Sequence, residues 1–259
     1  MKENTSWDGV GKWYDSIVSS QGHYYHTHVV LPGVLQLLGL QKDSHLLDVA
    51  CGQGVLARHI PDTVSYVGLD LAKELIQRAS SYHRQQKTRQ FFLRDATKPF
   101  NLPNDPQFTH AACILALQNI ASCEDVCKHV AEVLKPGASF VFVLNHPCFR
   151  IPRQTSWGFD EATKTQYRKI NSYMSTQKIP ISAHPGKSAE STLSFHLPLS
   201  AYFKACTEAG FVIDAVEEWC SDKVSTGKAK TWENRARKEF PLFIAIRAVM
   251  TSSCQRKVP

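Results

Sequence analysis

What this chain of 259 residues lacks narrows its reading first. It has no long apolar run: Ala111 to Leu117 and Pro241 to Ile246 are the longest, far short of the roughly 20 residues a spanning helix needs. No apolar stretch follows the charged start Met1-Lys2-Glu3-Asn4, so a secretory leader is not expected. The eight cysteines (51, 113, 123, 127, 148, 206, 220 and 254) include no C-x-x-C pair, and several sit in apolar runs. They read as buried or loose thiols in a reducing compartment, with the cytoplasm as the expected location, rather than as a disulfide framework. Internal repeats and low-complexity tracts are lacking too. Charge of one sign is only modestly in excess, at 30 Lys plus Arg against 23 Asp plus Glu, a net +7. That balance permits an anionic partner without demanding one.

What is present is an alternation. Hydrophobic residues make up 43% and charged residues 20%, the proportions of an ordinary globular domain. Short β-rich runs fall at His45 to Val49, Val64 to Asp70, Gln90 to Arg94, Phe108 to Leu117 and Ser139 to Asn145. Helical spacing separates them, with Leu75, Ile76 and Ala79 on one face of Ala72 to Arg84, and Val126, Val130 and Val133 on one face of Glu124 to Leu134. Leu134-Lys135-Pro136-Gly137 is read as the stop of the second helix. Strands alternating with helices predict a mostly parallel, doubly wound α/β sheet with helices on both faces. Residues 1–40 read as an N-terminal helical cap and 41–259 as the main domain. The stretch 147–197, rich in proline and aromatics, is too long for a plain connector and is expected to form a lid. A helix (Leu199 to Ala209), a strand from Phe211, a polar basic loop (Ser221 to Glu239) and a last strand (Leu242 to Val249) complete the order.

The informative segment is His45-Leu46-Leu47-Asp48-Val49-Ala50-Cys51-Gly52-Gln53-Gly54, an apolar strand entering a tight glycine turn and then a helix. Glycine suits such a turn because the backbone can bend sharply and a ligand can lie against it. Gly52-x-Gly54-x-x-Ala57 also meets the loose dinucleotide fingerprint. Asp48 separates the two readings: a carboxylate there repels a pyrophosphate but suits a ligand bearing an ammonium and a sulfonium. Asp70 ends the second strand, where an acid can accept both ribose hydroxyls. Asp95 follows the third, placed to accept from an adenine amino group. Open α/β sheets bind ligands beyond the carboxyl ends of their strands, so the three acids face one crevice.

Asp48 to Gly54, Gly68-Leu69-Asp70, Asp95-Ala96, Leu115-Ala116-Leu117-Gln118-Asn119 and Leu134-Lys135-Pro136-Gly137 resemble, in order and spacing, the successive motifs of the class I S-adenosylmethionine-dependent methyltransferases. The resemblance covers about residues 40–145 and is closest to enzymes with small-molecule acceptors. It implies a seven-stranded sheet with an antiparallel last strand, and S-adenosylmethionine held by Asp48, Ala50, Cys51, Gly52, Gly54, Asp70, Leu71, Asp95, Ala96, Leu115 and Gln118. Ala50 stands where the family often has glycine. Tyr14 resembles the N-terminal aromatic that closes over the cofactor.

Methyl transfer from a sulfonium is an in-line displacement, helped by alignment, exclusion of water and sometimes a base. His146, after the fifth strand, is the candidate base, although a packed or solvated histidine is the more natural reading of any single such residue. Tyr25 and His26 are candidates for the acceptor pocket. Arg150 and Arg153 could hold a carboxylate or phosphate on the acceptor. The spacing of His23, His26 and His28 matches no zinc signature, and no metal is expected. An RNA or tRNA acceptor is the alternative, because Lys223, Lys228, Lys230, Arg235, Arg237 and Lys238 cluster around Trp232. A binding protein that keeps the cofactor site without catalysis is another.

Overall fold

The computed structural model describes residues 24–182 and 191–252. Tyr14, the start of the expected cap, residues 183–190 of the expected lid and Cys254 lie outside the described residues. Eleven strands are described: β1 (His45–Val49), β2 (Ser65–Asp70), β3 (Arg89–Leu93), β4 (Phe108–Ile114), β5 (Leu134–Asn145), β6 (Thr155–Asp160), β7 (Thr165–Ile170), β8 (Gln177–Ser182), β9 (Ser191–His196), β10 (Phe211–Trp219) and β11 (Phe243–Met250). The α-helices are α1 (Leu31–Leu38), α2 (Lys73–Tyr82), α3 (Cys123–Val133), α4 (Leu199–Glu208) and α5 (Lys230–Glu239).

Seven strands form one sheet in the order β10-β11-β5-β4-β1-β2-β3. All run parallel except β11, which is antiparallel to both β5 and β10. This is the expected doubly wound sheet with its inserted antiparallel strand. Successive side chains point to opposite faces, and both faces are covered. Leu47, Phe140, Phe142, Ile244 and Ile246 pack with α3 and α4 on one side. Leu46, Val141, Val143 and Ala245 pack with α1 and the Leu56–Ile60 segment on the other. The central strands therefore read as unbroken apolar runs, and each fully buried Leu or Phe contributes about 1.5–3 kcal/mol.

Three local devices orient the helices around the site. Ser122 Oγ accepts from the Asp125 N–H at 3.1 Å and starts α3. Gly39, with φ of 57°, ends α1 in the left-handed conformation a side chain would resist. A Cβ on Gly33 would lie 2.3 Å from the Trp219 ring, so glycine alone lets α1 seat on the end of β10.

Four expectations change. The turn after the glycine loop leads only into a short 3-10 segment, Leu56–His59, not a full helix. The strand expected to run to Leu117 stops at Ile114, because Leu115 turns the chain with φ of 54°. Leu134, expected as the last residue of a helix, already pairs with Phe108 as the first of β5. Half of the expected Ser221 to Glu239 loop is α5. The stretch 147–197 holds two separate hairpins, β6-β7 and β8-β9.

Candidate active site

Because β4, β1, β2 and β3 are parallel neighbours, their carboxyl ends lie side by side and carry Leu115, Asp48 with Ala50, Asp70 and Asp95 along one edge. Asp48 is buried, 3% exposed, and its Oδ2 accepts from the Tyr66 hydroxyl at 2.6 Å. Burial pushes its carboxyl up to about 7; the Tyr66 bond opposes this and the nearby Asp70 charge adds to it. Asp70 organises the turn, with Oδ2 accepting from Gly52 N–H and Oδ1 from Ala72 N–H, both at 2.8 Å. Asp95 Oδ1 accepts from the backbone N–H and hydroxyl of Thr97.

The turn is held in left-handed geometry, with φ of 57° at Ala50, 57° at Gly52 and 75° at Gly54. The Cys51 N–H donates to Leu69 O and the Gly54 N–H to Cys51 O, tying the turn to β2 and to itself. Gly68 makes room for it, since a Cβ there would stand 2.7 Å from Cys51 Sγ and 2.8 Å from the Phe91 ring. By contrast, a Cβ on Gly52 would meet nothing within 4 Å, so the turn presents a bare face to open space.

Asp48, Ala50, Cys51, Gly52 and Gln53 line a cleft with His26 and Ile114. Gln53 is wholly buried, yet neither its amide oxygen nor its nitrogen has a partner among the described residues. Gln118 Nε2 donates to Leu115 O at 2.8 Å, and its Oε1 is likewise buried without a partner. Unpaired buried amides suit a ligand that supplies the missing bonds. Leu71, beside Asp70, is exposed, while Ala96 is buried.

His146 is 1% exposed. Its Nδ1 accepts from Cys148 N–H at 3.2 Å, so its Nε2 carries the proton and donates to Glu218 at 2.7 Å. Burial lowers its basicity more than Glu218 restores it. Both ring nitrogens thus have protein partners. Tyr25 packs against Phe243, with its hydroxyl 3.0 Å from Ser221 Oγ. His26 sits with the glycine turn rather than with Tyr25. Arg150 follows the turn that His146 holds; it and Arg153 are both exposed, and Arg153 has φ of 62°.

Tyr66, Gln53, Glu218 and Arg168 belong to this region and were not singled out from the sequence. The Tyr66–Asp48 and His146–Glu218 contacts join residues 18 and 72 positions apart, and no local pattern announces them.

Residues 47–140 match a family model described as a methyltransferase domain. The ubiquinone biosynthesis O-methyltransferase of Serratia proteamaculans is 24% identical over 136 residues, covering 51% of this chain and 55% of that protein. The 23S rRNA (uracil(1939)-C(5))-methyltransferase RlmD of Acinetobacter baylyi is 39% identical over 71 residues, 25% of this chain and 15% of that one. Among solved structures, an S-adenosylmethionine-dependent methyltransferase of Mesorhizobium loti superposes with a TM-score of 0.64 at 25% identity, covering 85% of this chain and 95% of that one. The chain spans about half the length of the curated relatives it first matches.

Proposed function

Because the chain belongs to the class I S-adenosylmethionine-dependent methyltransferases, we propose that it transfers a methyl group from that cofactor to a small-molecule acceptor. The observation that carries this reading is the row of Asp48, Asp70 and Asp95 around a glycine turn with an open face. Asp48 suits a ligand with an ammonium and a sulfonium and would repel the phosphates of a dinucleotide, while Asp70 and Asp95 suit the ribose and adenine. The orphaned amides of Gln53 and Gln118 fit the same ligand. When bound, it supplies a methyl carbon made electrophilic by the sulfonium.

The chain's own residues align and enclose. Asp70 and Asp95 are assigned to the ribose and adenine ends, and Asp48, Ala50, Cys51, Gly52, Gly54 and Gln118 to the methionine end, with Leu71, Ala96 and Leu115 as apolar walls. Tyr25, Arg150 and the hairpin β6-β7 form the acceptor side, and the 147–197 segment acts as the lid that keeps water out. We assign His146 to pinning the 146–150 turn, not to proton abstraction, since both its nitrogens are engaged. The match to ubiquinone O-methyltransferases lends weight to a small acceptor. An RNA acceptor is weakened by the way the basic cluster is used. Arg235 donates to Gln166 O, Arg237 to Ser225 Oγ, and Lys223 lies over the Tyr24 and Tyr25 rings. Seven described cysteines are free, five of them buried, which favours the cytoplasm.

Calorimetric titration with S-adenosylmethionine, S-adenosylhomocysteine and NAD tests the reading. Both adenosyl ligands should bind, NAD should not, and Asp70→Asn should weaken both by at least tenfold. Binding of NAD alone would overturn the assignment of the glycine turn.

A further inference from the structure

Arg150 and Arg168 stand near enough at the first lid hairpin for one charge to act on the other, and neither has an acid partner among the described residues. Arg168, on β7, stands opposite Trp157 of β6 and its guanidinium lies 5.0 Å over that ring. Its Nε donates to Phe149 O at 2.7 Å and its Nη2 to Thr155 Oγ1 at 2.7 Å. These bonds use two of its five N–H donors and lock the side chain in place. The first of them ties Arg168 to the residue just before Arg150, so the two cations share one corner. Burial lowers the basicity of Arg168, and the Arg150 charge lowers it further. The Arg150 guanidinium is lowered by partial desolvation as well, although much of the side chain stays exposed, and no acid opposes the shift.

Arg247 is matched by Asp214 at 2.9 Å and Arg89 by Asp62 at 3.7 Å, whereas Arg94 and Arg235 spend their donors on backbone carbonyls. Among the described residues Arg150 and Arg168 make no ion pair. Bringing two like charges together lowers stability unless something neutralises them. An anionic ligand does so, and the arginine fork matches a carboxylate in its own plane. The surrounding groups are flat and apolar: Phe149 lies 5.8 Å and Trp157 5.5 Å from the Phe240 ring, and Tyr25 packs on Phe243.

We infer that Arg150 and Arg168 together bind a carboxylate carried on a ring-bearing methyl acceptor, with the aromatic wall taking the ring. This rests on the methyltransferase reading and corrects the sequence-based pairing of Arg150 with Arg153: the second arginine is Arg168. Its place could not be read from the chain, because β7 reaches Arg150 only when the hairpin folds back.

The test uses the full chain saturated with S-adenosylhomocysteine. Benzoate, 4-hydroxybenzoate and indole-3-acetate are titrated calorimetrically against their uncharged amides, with inorganic phosphate as competitor. At least one acid should bind tenfold or more tightly than its amide. Arg150→Gln, at an exposed side chain without internal bonds, should erase that difference and leave S-adenosylhomocysteine affinity unchanged. Arg168→Lys, which keeps the charge but not the fork, should weaken the acid and not the amide. Equal binding of acid and amide, no binding of any of the three acids at millimolar concentration, or a preference that survives in Arg150→Gln would overturn the proposal. Phosphate that displaces the acids at lower concentration than they bind would overturn the carboxylate assignment. Failure of S-adenosylhomocysteine itself to bind would instead sink the methyltransferase reading, which is recorded separately before any acid is added.

Discussion

Asp48 is costly to the fold and useful to the site. Its carboxyl titrates at about 7 in the folded protein and at about 4 in an unfolded chain, so the folded state holds the proton more tightly. Stability on this group's account is therefore full below pH 4 and lost as pH rises through 7. Asp48→Asn keeps an oxygen for Tyr66 and removes the charge. It should stabilise the protein at pH 8 by up to roughly 4 kcal/mol and change little at pH 4, as denaturant unfolding at the two pH values would record. The same substitution should weaken the cationic cofactor. In the wild type, S-adenosylmethionine affinity should rise between pH 6 and 8 more than that of the uncharged-sulfur product, and in Asp48→Asn that difference should vanish.

Ala50 is a second residue-scale compromise. An alanine at φ of 57° costs about 1–2 kcal/mol relative to the right-handed region. Ala50→Gly should therefore raise the unfolding free energy slightly, by about 0.5–1 kcal/mol after the unfolded chain's extra freedom is counted, as denaturant unfolding would record. A fall in stability would show that the Ala50 methyl makes a packing contact worth more than the strain. Asp48, Asp70 and Gly52 were legible in the chain because strand end and turn are contiguous. Tyr66 and Arg168 were not, because their meaning comes from contacts made only after folding, nor was Gln53, whose amide is singled out only by being buried without a partner.

At the scale of elements, short β-rich runs and helical spacing located β1 to β4 and α2 to α4 to within a few residues, while β5 begins five residues before the expected Ser139. The miss at α5 has a plain cause. Only Ala236 of that helix is buried, so no apolar stripe marks it, and its run of Lys, Arg and Glu reads as a solvated loop. The helix is held from outside, by Phe159 against Trp232 at 5.1 Å and by Arg235 on the β7 backbone. The two hairpins were missed because proline and glycine break their alternation. Gly158 is part of the design: a Cβ there would stand 2.4 Å from the Tyr167 ring lying across it. The hairpin β6-β7 thus rests on few groups, with Phe240 central among them. Phe240→Ala should speed amide exchange across 155–170 at least tenfold while leaving 45–49 protected. Acceptor binding should weaken with it, and cofactor binding should not.

Taken whole, the molecule seats α1 on the sheet by an apolar face and by one close approach at Gly33. Gly33 lets α1 lie on Trp219, and Leu31 and His26, just before it, line the cleft. Gly33→Ala should lower stability by about 1–3 kcal/mol through overpacking and loosen S-adenosylhomocysteine binding, although residue 33 is not a cofactor ligand; calorimetry beside a thermal melt reads both. The overall sheet was legible from the alternation of elements and from the late helix-strand-loop-strand order. What could not be read there was the seating of one layer on another, which depends on side-chain shape across the interface.

The position of β11 has a consequence for how the protein is made. It lies between β5 and β10 and hydrogen-bonds to both, yet of the seven sheet strands it is the last to be made. From the completion of β5 until β11 emerges, roughly a hundred residues later, the central edge of the nascent sheet stays open. At about 5–20 residues per second this lasts on the order of 5–20 s, long enough for an unpaired apolar edge to find another chain. The nascent polypeptide therefore has a window in which holdase chaperones and crowding, rather than its final contacts, decide its yield, and ribosomes stalled short of residue 250 should carry it in a protease-sensitive form.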